Sequence, residues 1–123
     1  MAAGKYALLI EQGATLDLEL LYKDSNNTPI DVSSYTGKLQ IKSDYADNSP
    51  TTYLTLIDPV INGTGIDFIT SGSDGVIGIK VSATDTSALT FDTAYYDFEI
   101  TNTSNVVTRL LQGSAQLSKQ VTT

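Results

Sequence analysis

Apolar and polar residues alternate with a period of two through most of this chain, in short runs broken by turn formers. That pattern restricts it to strands that each bury one face. Leu16, Leu18, Leu20 and Tyr22 interleave with Asp17 and Glu19, which puts leucines on one side of a strand and carboxylates on the other. The same alternation recurs at Lys38 to Lys42, Ile77 to Ser82 and Tyr96 to Ile100. Shorter runs cover Tyr53 to Ile57 and Ile66 to Ile69, a long one covers Val106 to Leu117, and Tyr6 to Ile10 opens the series.

The segments between these runs have the chemistry of reversals. Lys23 to Pro29 carries Asp, Ser and two Asn, whose side chains bond their own backbone and tolerate left-handed conformations, and it reads as a hairpin tip. Asn62 to Gly65, Ser71 to Gly75 and Thr101 to Asn105 are similar. None of these connections is long enough to hold a crossover helix, so the sheets are expected to be antiparallel with one face buried. The one helix candidate is Ser82 to Leu89, a turn or two capped by Ser82 or Thr84. About eight strands in 123 residues fit an immunoglobulin-like sandwich or a small barrel.

A chain of this length is expected to form one domain over residues 1–123, with unpatterned ends at 1–5 and 118–123 that act as arms. It has no Cys and no His, which removes the common zinc ligands and the Ser–His and Cys–His nucleophile pairs. Seven Lys and Arg stand against fourteen Asp and Glu, a net charge of −7, and such a field repels nucleic acid. Glu11 ends the first apolar run well short of an export signal or a membrane span, so neither is expected.

Asp58, Asp67, Asp74, Asp85, Asp92 and Asp97 are the carboxylates from which a hydrolase would draw an acid pair, but their spacing selects no pair, and Asp is a common turn residue. Asp24-Ser25-Asn26 starts like a calcium loop. It then places Pro29 and Tyr35 where an EF-hand needs Gly and Glu; looser calcium turns would lie at Asn62 to Asp67 or at Asp74 and Gly75. Arg109, the sole arginine, is in phase with Val107 and Leu111, so it is expected to pair with a carboxylate or mark a bulge. Among the seven tyrosines, Tyr45, Tyr53 and Tyr95 are candidates for a contact patch as well as for sheet packing. Tyr6, Leu8 and Ile10 join them as interface candidates on the opening strand, where an edge can add to a neighbour's sheet.

The order Ile10 to Leu16, the tip at Asp24 to Asn27 and the run Thr28 to Ile41 resemble small tailed-bacteriophage structural proteins, which are similar to the immunoglobulin-like N-terminal domain of phage upper baseplate proteins. Gly75 to Ile79, Ser82 to Leu89, Tyr95 to Ile100 and Val107 to Gly113 look like the same family's closing strands. The resemblance implies an immunoglobulin-like sandwich, and together with the residue pattern the expectation is an all-β, antiparallel immunoglobulin-like sandwich of about seven to nine strands with at most one short helical turn. The resemblance further implies a virion component without enzymatic activity, whose partners are other virion proteins and copies of itself; with the composition and the short first apolar run, no cofactor, nucleic-acid or membrane partner is expected, and assembly is expected in the host cytoplasm. Attachment at the tail or baseplate is the leading expectation and head decoration the next. A carbohydrate-binding module, with tyrosines stacked on host glycan, is the expectation from a different class.

Overall fold

The structure, a computed structural model, describes residues 4–122. Among them are nine strands: β1 (Gly4–Lys5), β2 (Leu8–Glu11), β3 (Leu16–Leu21), β4 (Thr36–Lys42), β5 (Thr52–Ile57), β6 (Gly65–Asp67), β7 (Val76–Val81), β8 (Thr93–Thr101) and β9 (Val107–Ser118). One α-helical turn, α1 (Ala83–Ser87), sits between β7 and β8. The larger sheet runs β1-β9-β8-β4-β5, with β2 also paired to β9, and the smaller runs β3-β7-β6. The two sheets share no strand pairing and pack through their buried side chains, so the fold is an all-β immunoglobulin-like sandwich and not a closed barrel.

The alternation read from the sequence becomes two inward faces. Leu39, Ile41, Leu56, Phe98 and Ile100 of the larger sheet meet Ile66, Ile77, Ile79 and Val81 of the smaller, all essentially buried. Each such side chain contributes roughly 1.5–3 kcal/mol through removal from water. Phe68, just past β6, is buried with them and reaches Gly37, where a Cβ would lie 2.8 Å from its ring. The helical turn forms where its cap predicts, with the Ser82 hydroxyl accepting from the Asp85 N–H at 3.1 Å. Two single 3-10 turns, Ala46–Asn48 and Gly72–Asp74, join it; each ends on a left-handed residue, Ser49 or Gly75.

Three expectations need correction. Pairing is not antiparallel throughout: β1 and β2 run parallel to β9. No crossover is needed there, because the whole domain is the connection between its first and last strands. Leu8 and Ile10 are core residues and not interface residues, since pairing with β9 points them inward at 4% and 0% exposure while Leu9 points out. The ends are tied to their own chain, Gly4 and Lys5 as β1 and Ser118 as the last residue of β9. Past it, Lys119 Nζ donates to the Thr90 carbonyl and the Gln120 N–H to Gln12 Oε1, each at 3.0 Å. The remainder of the expected arms, residues 1–3 and 123, lies outside the described residues.

Gly113 allows the first strand to close onto the last. A Cβ there would fall 2.4 Å from the Tyr6 carbonyl oxygen, which the chain brings close by bonding the Tyr6 N–H to the Gln112 carbonyl at 3.0 Å. The Tyr96 hydroxyl, from inside the sandwich, donates to that same Tyr6 oxygen at 2.7 Å.

Candidate functional site

The outward face of the larger sheet gathers the side chains with the most chemical character. β8 presents Tyr95, Asp97 and Glu99 outward because Tyr96, Phe98 and Ile100 fill the core. Register then sets the rows across the face. Glu99 lies between Lys38 and Arg109, Asp97 between Gln40 and Gln112, and Tyr95 between Lys42 and Ser114. An acidic strand therefore runs between basic neighbours, and cross-strand pairs of opposite charge favour this order.

Arg109 fulfils both alternatives read from its phase. Phe98 pairs with Leu111 but Glu99 pairs with Arg109, so Leu110 is an extra residue and a bulge. The bulge brings Arg109 onto the outer face, where its Nε lies 3.5 Å from Asp97 Oδ2 and its Nη1 donates to Gln112 Oε1 at 3.3 Å. Both partners are about half exposed, so the pair contributes at most about 1 kcal/mol to stability. Its effect is to fix the guanidinium in place.

The loop after β4 supplies the aromatic wall. Ser43 and Thr51 close its base, the Ser43 N–H donating to the Thr51 carbonyl and the Thr51 N–H to Ser43 Oγ, both at 2.9 Å. The Tyr45 N–H donates to Asp44 Oδ1 at 2.8 Å. This lays the Tyr45 ring on Tyr95, with centroids 4.9 Å apart and planes 28° from parallel. Tyr45 and Tyr95 nevertheless stay 64% and 42% exposed, so the pair is not there to fill the core. Between the loop and the sheet lies an open groove of about 270 Å³, lined by Tyr45, Tyr95, Gln40, Lys42, Asp97 and Arg109.

The other two candidate tyrosines stand apart from this face. Tyr53 stacks on buried Phe91 at 5.0 Å and packs against the core. Tyr6, 45% exposed, lies on the seam between β2 and β3, over an apolar gap of about 120 Å³ lined by Leu8, Leu18, Leu20 and Leu111. Lys38, Lys42 and Glu99 were not singled out from sequence, although the alternation through Lys38-Leu39-Gln40-Ile41-Lys42 already put both lysines on one side.

The carboxylates considered for acid chemistry are dispersed in local roles. Asp58 accepts from the Gly37 N–H at 3.0 Å, Asp85 from the Thr64 hydroxyl at 2.5 Å, and Asp92 lies 3.5 Å from Lys119. Asp74 sits in a 3-10 turn. The Thr70 hydroxyl and backbone N–H hold Asp67 below the usual carboxylate range, and the Ile69 N–H assists. Asp97 and Glu99 stand side by side on one strand, and among the described residues no three Asp or Glu converge.

Charge divides unevenly over the molecule. The outward positions of the larger sheet and its groove hold Lys5, Lys38, Lys42 and Arg109 together with Glu11, Asp44, Asp97 and Glu99, four cations and four acids. Three cations and ten acids are left for the rest of the chain, so this face is neutral and the entire net charge of −7 lies elsewhere. Compared with known proteins, the chain matches no family model and no curated protein sequence.

Proposed function

We propose that this chain is a non-enzymatic structural component of a tailed-bacteriophage virion, an attachment module of the tail or baseplate that docks through the outer face of its larger sheet. The observation that carries the docking role is the exposed Tyr45–Tyr95 stack beside Arg109, on a face without the net charge of the rest of the molecule. Aromatic residues and arginine are the side chains most enriched at contact surfaces, and a face without net charge does not repel an acidic partner at long range. The resemblance to phage structural proteins along the chain supports the virion setting. Mass spectrometry of purified particles tests it: the chain is expected in repeated copies per particle. Its absence from washed, intact particles would remove the virion reading.

A second reading, glycan binding, is favoured by the groove itself, where the exposed Tyr45 and Tyr95 share the lining with Gln40 and Asp97. A sugar ring would stack on a tyrosine while the amide and carboxylate take its hydroxyls. Screening the chain and its Tyr95→Ala variant on a glycan array decides this: binding lost in the variant supports it, and a blank array for the parent chain removes it.

A further inference from the structure

We infer that the outer face of the larger sheet is a self-association surface, on which two copies of this chain pack face to face with a one-strand offset. The inference rests on reading this face as the docking surface and is independent of virion membership. Two copies that each carry −7 repel one another, and at physiological salt the repulsion acts over about 8 Å. The neutral outer face is the approach on which that penalty falls away.

The order of charges across the face then selects the register. A two-fold axis along the strands and centred on β8 would stack Asp97 and Glu99 on their own copies. Moved to the line between β8 and β4, the same axis lays β8 of each copy over β4 of the other. Rows are preserved by such an axis, so Glu99 meets the second copy's Lys38 and Tyr95 meets the second copy's Lys42, each contact made twice. The first is an ion pair, and in the second an ammonium meets the stacked Tyr45–Tyr95 pair. An offset toward β9 would call instead on Arg109, which Asp97 and Gln112 already hold within the subunit; Lys38 and Lys42 make no ion pair among the described residues.

The extent is sufficient. Four strands from β9 to β5 at about 4.8 Å spacing, with about seven residues of rise along each, offer an area on the order of 500 Å² per copy. Two such faces bury about 1,000 Å², the lower bound for a specific interface, so a weak, reversible dimer is expected.

Sedimentation equilibrium of the full chain from about 1 µM to about 1 mM tests this, with circular dichroism to confirm that each variant is folded. Wild type is expected to pass from monomer to dimer, and Lys38→Glu and Glu99→Lys each to weaken the dimer by about tenfold or more. Mixing those two variants is expected to restore association, because the carboxylate introduced in one then meets the ammonium introduced in the other, while the untouched Glu99 and Lys38 still pair. A loss of fold cannot be mended by adding another damaged copy, so this recovery separates interface from structure. A wild type that stays monomeric throughout, a dimer indifferent to both substitutions, or a mixture no stronger than its components would each overturn the inference.

Discussion

Gly113 and Tyr96 show how single atoms hold the first strand in place. Gly113→Ala pushes a methyl group into the Tyr6 carbonyl and is expected to cost about 1–3 kcal/mol, read as a lower urea midpoint, with faster hydrogen exchange at Leu8 to Glu11. Burial, with a smaller push from neighbouring Tyr6, raises the Tyr96 phenol to about 12. A tyrosine in the unfolded chain ionises near 10, so the folded state holds this proton longer, and its contribution is complete below pH 10. It is lost as pH rises through 12, at about 1.4 kcal/mol per unit and roughly 2–3 kcal/mol in all. Urea titrations between pH 8 and 12 are expected to show that decline, and Tyr96→Phe to flatten it. At this scale the sequence was a partial guide. The phase of Arg109 foretold both a carboxylate partner and a bulge. The sequence offered Tyr45 and Tyr95 as candidates for a contact patch but not their contact with each other, because a contact between residues fifty apart depends on which strands become neighbours.

Elements were most legible where the burial pattern is local. The leucine and carboxylate alternation of β3 and the turn signals at Asn27 and Asn105, both left-handed in the structure, follow from pleating and from side chains bonding their own backbone. Sheet membership was not legible, since β3 and β4 carry similar alternation yet lie in opposite sheets. Leu8 and Ile10 illustrate the cost of that gap: an apolar strand reads alike whether its edge is free or paired, and here β9 takes it. The link from β2 to β3 depends on Thr86, a fully buried polar residue of α1 whose hydroxyl donates to the Ala14 carbonyl at 2.8 Å and accepts from the Gly13 N–H at 3.1 Å. Thr86→Val keeps the volume but strands both groups, and is expected to lower stability by about 1–3 kcal/mol in a urea melt. Ser82→Ala, which removes only the cap on Asp85, is expected to cost about 1 kcal/mol.

For the molecule as a whole, composition and topology answer different parts of one question. The absence of Cys and His and the charge of −7 narrowed the chemistry before any fold was known. The topology then sorted those charges, collecting the sole arginine, three of the six lysines and an exposed tyrosine pair on one neutral sheet face. Strand register, the bulge at Leu110 and the loop after β4 together produced that arrangement, and of it only the shared side of Lys38 and Lys42 was legible along the chain. This face is the proposed docking surface. Cryo-electron microscopy of the intact particle tests that role: density for this sandwich is expected at repeated positions on the tail or baseplate, with Tyr45, Tyr95 and Arg109 covered by a neighbouring subunit. A sandwich seated on the particle by another surface, with that face open to solvent, would contradict it.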